Sequence, residues 1–374
     1  MPGRVPLEKI SIQGFKSIKE LNEFELGNLN VMVGANGAGK SNLVSFFQML
    51  RVMANGGLQK YVLSNGGADG FFYNGPKETE KIKAHLIFGQ NEYVFRLESS
   101  IASEMIVAGE STLYKGGDYS SEWRHWSGGN KEARLSEWKR RRSSWGNYPS
   151  VEAYVYGAIS NWMVYHFHDT SSSAPIRREG SVRDFRELGP EAGNIAAFLF
   201  HLKENFEKKY IRIQETIQLI APFFEDFLLE PYKKGENELI RLEWKQKGSS
   251  MPFQPWQLSD GTLRFICLAT ALLQPIKPST IIIDEPELGL HPYALQVLAA
   301  LMHEASERTQ LVVSTQSTNF INHFDPDKII VVDRKDDASV FRRLDHSLLE
   351  QWLEDYAVGE LIQKDIIETG PRYE

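Results

Sequence analysis

From Leu7 to Gly14 apolar and polar residues alternate, and after Asn30 a short apolar run, Val31-Met-Val33, stops at a glycine-rich turn. Both segments predict strands, because strand side chains repeat with a period of two. Beyond the turn, Ser41 to Met53 repeats its apolar residues at spacings of three and four, the mark of a helix facing a core. Residues 54 to 76, rich in Gly and Asn, read as a loop. Lys81 to Phe88 and Glu92 to Glu98 read as antiparallel strands joined by the short Gly89-Gln-Asn91 turn.

Further along, Met163 to His168 predicts a strand and the polar stretch Asp169 to Gly180 a linker. Apolar spacing from Ala192 to about Ile220 is helical and breaks before Pro222, enough for at most two helices. Leu239 to Trp244 predicts a strand, Leu263 to Leu273 a helix, Thr280 to Ile283 a buried strand and Tyr293 to Ala305 a helix. Two more buried strands follow at Gln310 to Val313 and Lys328 to Val332. No internal repeat and no heptad array of coiled-coil length is present.

Composition narrows the classes. The chain has 374 residues, a length suited to two or three domains or to one domain with large insertions. Forty-two basic against 49 acidic side chains leave a net charge of −7, so contact with nucleic acid must come from a local patch. A single cysteine, Cys267, excludes a disulfide framework and a CxxC zinc site, and fits a reducing compartment. The start lacks the apolar stretch of a signal peptide and no run of about 18 apolar residues occurs, so the expectation is a cytoplasmic protein without a membrane span.

The chemistry begins at the turn. Gly34, Ala35, Asn36, Gly37, Ala38, Gly39, Lys40 and Ser41 fit G-x-x-x-x-G-K-[ST] in full, between a strand and a helix. Glycines let backbone N–H groups curl around phosphates, the helix N-terminus adds positive potential, Lys40 reaches β and γ oxygens and Ser41 ligates Mg²⁺. Asn42, the next residue, is a further candidate nucleotide contact. A glycine-rich turn with a surface lysine is the competing reading. Thr280-Ile-Ile-Ile-Asp284-Glu285-Pro286 supplies the acidic element after an apolar strand: Asp284 to anchor Mg²⁺ through water, Glu285 to polarise the attacking water as general base. The alternative is a strand ending in a charged turn.

Leu258-Ser259-Asp260-Gly261-Thr262 lies one helix and one strand before Asp284 and looks like the ABC signature LSGGQ. Together with the phosphate loop, IIIDEP, the opening IQGFKSIKE and Glu287-Leu-Gly-Leu-His291-Pro292, it makes the chain resemble ABC-type ATPase heads of the RecF, SMC and OLD group. The resemblance is firm over residues 7 to 54 and 256 to 333. It implies an α/β P-loop NTPase fold with a mixed sheet, an antiparallel β subdomain and a short helical lobe, with ATP and Mg²⁺ as cofactors. It also implies head-to-tail dimerisation in which Ser259 and the Gly261 backbone meet the γ-phosphate in trans. On the residues alone, Ser259 is an N-cap for the helix that begins near Leu263.

The chain departs from this pattern in places. Where the group usually places a switch histidine the sequence has Ser314-Thr315-Gln316-Ser317, so Gln316 can hydrogen-bond a phosphate or water but cannot carry positive charge. Slow hydrolysis is expected, or a compensating cation, for which Lys16 is the candidate; its alternative is an exposed lysine. No glutamine follows the Met163 strand where similar heads carry one, and His168 or Asp169 is expected to take over that metal and water contact.

Between Trp123 and Trp145 stand seven Lys or Arg, including Arg140, Arg141 and Arg142, and two Glu, with tryptophans at 123, 126, 138 and 145. Cations with indoles suit nucleic-acid binding, whereas an amphipathic helix whose tryptophans pack on the core is the favoured alternative. The division expected is 1–190 as an N-terminal ATPase lobe with this insertion at about 116–147, 191–232 as a helical lobe, 233–345 as a C-terminal ATPase lobe and 346–374 as an acidic helical tail. The function expected is Mg²⁺-dependent ATP hydrolysis coupled to dimerisation, in DNA repair or anti-phage defence with a separately encoded effector. An ATP-gated scaffold or sensor is the alternative.

Overall fold

The computed structural model describes residues 6–116, 122–140, 150–364 and 366–367. In chain order the elements are β1 (Lys9–Phe15), β2 (Ile18–Glu25), β3 (Leu29–Val33), α1 (Lys40–Ala54), α2 (Leu58–Ser64), β4 (Lys81–Phe88), β5 (Asn91–Ser99), β6 (Met105–Tyr114), β7 (Arg124–Trp126), α3 (Val151–Ser160), β8 (Met163–Tyr165) and β9 (Gly180–Ser181). There follow α4 (Ile195–Asn205), α5 (Glu207–Ile220), β10 (Phe224–Leu228), β11 (Tyr232–Lys234), β12 (Asn237–Ile240), β13 (Glu243–Gln246), β14 (Pro252–Phe253), α6 (Asp260–Leu273) and β15 (Thr280–Asp284). The chain continues through α7 (Pro292–Ser306), β16 (Gln310–Thr315), α8 (Thr318–Ile321), β17 (Ile329–Lys335), β18 (Ala338–Arg343), α9 (His346–Leu353) and α10 (Val358–Gln363).

Two sheets and the helices between and around them set the site. One sheet has the order β18-β17-β3-β16-β15-β8 and is parallel except for its edge strand β18. Its strands are apolar without alternation because both faces are covered. Val31, Ile281, Ile283, Leu311 and Val313 face a core built with α4 to α7, while Met32, Ile282 and Val312 face a second core. That second core holds α1 between the parallel sheet and the antiparallel sheet β2-β1-β4-β5-β6-β7, with Phe46 and Phe47 fully buried. Two small sheets, β10-β13-β14 and β11-β12-β9, complete the fold. The loops that carry the candidate site residues therefore emerge at the carboxyl ends of β3, β15 and β16, where open α/β sheets bind ligands.

Several expectations need correction. Residues 54 to 76 are not simply a loop: α2 and a 3-10 turn over Asp69–Phe71 lie there, with Leu58, Val62 and Phe71 buried. Their apolar residues are too widely spread among Gly and Asn for periodicity to register. The strand expected at Leu239 to Trp244 is two strands, β12 and β13, in different sheets. In its described residues the tryptophan-rich insertion packs tryptophans on the core as the favoured reading expected, but not as an amphipathic helix. It extends the antiparallel sheet as β7 and continues into a 3-10 stretch, Arg134–Arg140, whose Trp138 is buried against Tyr93 and Trp126.

Candidate nucleotide site

The loop between β3 and α1 is shaped by close approaches. A Cβ on Gly34 would collide with the Val332 carbonyl oxygen, and one on Gly39, whose φ is 116°, with the Ser339 hydroxyl. Only glycine fits at either point. Ser339 Oγ donates to the Ala38 carbonyl at 2.6 Å and lies 2.6 Å from Ser17 Oγ, which accepts from the Asn42 amide at 2.6 Å. Asn42 thus braces the loop from below, and the structure engages its side chain with Ser17. No side chain caps the N-terminus of α1, and with the N–H groups of Asn42 and Leu43 bonded to the Gly39 carbonyl, those of Lys40 and Ser41 are left for an anion. Lys40 is buried and folds back on the loop, its Nζ donating to the carbonyls of Gly34 at 2.6 Å and Ala35 at 3.0 Å. Burial pushes the Lys40 ammonium down from its ordinary value, and the fields of Glu285, Asp284 and Glu287 oppose that shift.

Those carboxylates stand at the end of β15, paired in register with β16. Asp284 Oδ1 accepts from Ser314 Oγ at 2.6 Å. Glu285 follows in a left-handed conformation, φ 43°, and Oε1 of its side chain accepts from the Gln316 amide. Glu287 accepts from Thr315 Oγ1 at 2.6 Å and from the Gln316 N–H at 2.9 Å. The acidic loop and the segment after β16 are therefore knitted together by side chains.

The helix α6 begins at the signature-like motif. Ser259 caps it, accepting from the Thr262 N–H at 3.1 Å, and Gly261 packs so closely on the Gly289 carbonyl that a Cβ would collide. One turn on, the buried Arg264 donates to the carbonyls of Phe167 at 2.8 Å, His168 at 3.0 Å and Leu288. One guanidinium thus ties α6 to the segment after β8 and to the acidic loop.

The family described as "AAA domain, putative AbiEii toxin, Type IV TA system" matches residues 29–147 and 159–322, more than half of the chain and all three of these loops. The chain belongs to this AAA-domain family. It is also 22% identical over 382 residues to the OLD nuclease of Thermus scotoductus, across 94% of this chain and 67% of that protein. Among solved structures it is similar to an Smc head bound to the C-winged helix domain of ScpA, with TM-score 0.54, 18% identity and coverage of 92% of this chain and 99% of that one. It is likewise similar to the Smc head with an extended coiled coil bound to the C-terminal domain of ScpA from Pyrococcus furiosus, with TM-score 0.51, 18% identity and 94% and 99% coverage. The fold is that of a P-loop ABC-type ATPase head of the RecF, SMC and OLD group, and the chain is a nucleotide-binding member of an ATPase family.

In this AAA-domain head the remaining candidates fall in varied places. Lys16, at φ 47° in the β1–β2 turn, donates from Nζ to Ser45 Oγ at 2.7 Å, one turn beyond Ser41 on α1, and lies over the rings of Phe15 and Phe71. It is not the exposed lysine of the alternative; burial pushes its ammonium down. His168 gives its Nε2 proton to the Asp284 carbonyl at 2.8 Å, so that nitrogen is engaged in bracing the acidic strand and only Nδ1 stays open toward a metal. Asp169 is hydrogen-bonded to the Ser171 N–H at 2.9 Å. Among the described residues no group of three or more His, Cys, Asp or Glu is arranged to hold a metal ion, and no helix is long and apolar enough to cross a membrane. Arg141, Arg142 and Trp145 lie outside the described residues, as does the side chain of Arg140. Stacking on unpaired bases is excluded for Trp138 by its burial.

Glu287 and Arg264 were missed as site residues. Glu287 lies in the ELGLHP run, where the residues alone give it no role of its own, and an arginine inside an apolar helix run is its own signal, since arginine is almost never buried without partners.

Proposed function

We propose that the chain binds Mg·ATP at the β3–α1 loop, hydrolyses it with Glu285 as general base and dimerises around it, each signature helix facing the partner's nucleotide. One observation carries this: an uncapped helix N-terminus and a buried lysine lie within the field of three carboxylates, an arrangement whose cation and acids suit a phosphate chain and a divalent metal. The donor set fits Mg²⁺: Ser41 is exposed at the start of α1, and Asp284 keeps Oδ2 beyond its bond to Ser314. The metal would supply charge neutralisation of the phosphates. This chain's residues supply the rest: Lys40 turns from the Gly34 carbonyl to the β and γ oxygens, Glu285 takes the proton of the attacking water, and Ser259 with the N-terminus of α6 presents donors to the partner's γ-phosphate.

Gln316, which meets Glu285 but cannot carry the positive charge of a histidine, favours a second reading, an ATP-gated scaffold or sensor with slow turnover. Steady-state hydrolysis by the purified chain separates them: turnover near or above about 1 s⁻¹ supports an enzyme, and tight ATP binding with turnover near zero supports the scaffold.

The biological setting proposed is DNA repair or anti-phage defence in the cytoplasm, with a separately encoded effector. Likeness to an OLD nuclease and to Smc heads carrying bound ScpA domains supports it. The face we propose for DNA is the outer face of the antiparallel sheet. There Lys83 and Arg96 stand directly opposite each other in the β4–β5 register, an arrangement of like charges that is unfavourable unless an anion joins them. Among the described residues neither has an acidic partner, and Lys83 lines a groove of about 560 Å³ together with Lys19, Lys77 and Lys81, where Glu78 and Glu80 offset part of the charge. Replacing Lys83 and Arg96 with Ala is expected to weaken duplex binding for all sequences and to reduce the slope of log affinity against log salt by about 2. An unchanged slope removes this face from DNA binding.

A further inference from the structure

Glu287 is left out of the mechanism above, and its surroundings are unusual. Only one of its two oxygens is used: Oε1 accepts both from Thr315 Oγ1 at 2.6 Å and from the Gln316 N–H at 2.9 Å. The other, Oε2, is shut off from solvent and has no hydrogen-bond partner. An unpaired buried carboxylate oxygen is costly, so the two bonds made by Oε1 must hold something that matters to the fold or the site.

What they hold is the switch. Thr315 ends β16, and its Oγ1 in turn accepts from the Ser317 N–H at 3.0 Å, at the cap of α8. Gln316 lies between, with its backbone on Glu287 and its side chain on Glu285. Glu287 sits two residues beyond Glu285 on the same loop, and that loop is anchored on its far side through Leu288 to Arg264 of α6. A continuous set of contacts thereby runs from α6 through the acidic loop to the backbone of Gln316.

We propose that Glu287 is a positioning residue, a latch whose Oε1 fixes the Thr315–Gln316 backbone so that the Gln316 amide meets Glu285. It acts through Gln316 and touches no reacting atom. Because one acceptor oxygen makes both bonds, Glu287→Gln retains the latch with its carbonyl oxygen, and Glu287→Ala abolishes it. Thr315→Val removes one donor of the two.

The first test needs no turnover. In the nucleotide-free full chain, amide hydrogen exchange at Gln316 is expected to be about tenfold or more faster in Glu287→Ala, intermediate in Thr315→Val and near wild type in Glu287→Gln. Unchanged exchange in both Ala and Val variants overturns the latch, and Thr315→Val decides the matter if Glu287→Ala does not fold. The second test rests on the hydrolysis proposed above. Glu287→Ala is expected to lower kcat about tenfold or more with ATP affinity within about threefold of wild type, and Glu287→Gln to restore most of it. The pair Glu287→Ala with Gln316→Ala is expected to be no slower than the slower single variant, since both break one connection. Additive losses, or lost affinity with unchanged kcat, overturn the positioning role. A wild type without turnover removes the hydrolysis reading, and the exchange result then decides the latch by itself.

Discussion

Arg264 is the point at which packing and function meet, and Arg264→Met isolates what its guanidinium does, because methionine retains an apolar stem of similar length in a buried position. Three carbonyls lose their donor: Phe167, which is buried, and His168 and Leu288, which are partly so. Hydrogen bonds from a charged donor contribute about 1.5 to 3 kcal/mol each, and a carbonyl stripped of its donor keeps the desolvation cost. Water can reach the two partly buried carbonyls, and neighbouring bonds are not additive, so the expected loss is about 3 to 5 kcal/mol. Some of this is offset because burial already pushes the Arg264 guanidinium down, a sign that its charge is expensive to hold inside. Urea unfolding by circular dichroism measures it, with the denaturant slope unchanged. A loss below about 1 kcal/mol would refute the reasoning, since it would mean that the three carbonyls find other partners or do not need one. Turnover is expected to fall with it, because the signature helix loses its hold on the acidic loop, while ATP still binds at the β3–α1 loop.

Lys40→Ala removes the charge-assisted bonds to the phosphates and is expected to abolish nucleotide binding by calorimetry while the chain remains folded; retained affinity counts against the phosphate-loop assignment. Lys16→Met probes a half-buried ammonium. A lysine whose folded pKa lies below its unfolded value of about 10.5 binds fewer protons when folded across that window, so stability rises with pH there. Denaturant titrations from pH 7 to 10 should show that rise in wild type and a flatter profile in Lys16→Met; identical profiles would mean that Lys16 is solvated.

Much of this architecture was legible because its signals were local. A strand buried on both faces must be apolar throughout, which marked Thr280 to Ile283 and Gln310 to Val313, and the β3–α1 loop carries its chemistry in consecutive residues. Ser259 emerged as the cap of α6, the role read for it on the residues alone. The second small strand pair, α2 and the insertion were opaque for the opposite reason. That Trp138 and Trp126 pack on the core was the favoured reading of the insertion, but that they do so from a strand paired with β6 and a 3-10 stretch depends on a partner strand distant in sequence. The part played by Glu287 depends on Thr315 and Gln316, 28 and 29 residues away, and no spacing within a single element could report it.

The central claim, that Glu285 is the base at a nucleotide sandwiched between two copies, is tested most directly by static light scattering of Glu285→Gln with Mg·ATP, alongside its hydrolysis rate. Glutamine keeps an oxygen to accept from the Gln316 amide but cannot take a proton. The account predicts that ATP still binds, turnover is abolished and the mass doubles only when ATP is present. Hydrolysis at the wild-type rate, or a mass that stays at one chain with ATP bound, would contradict it.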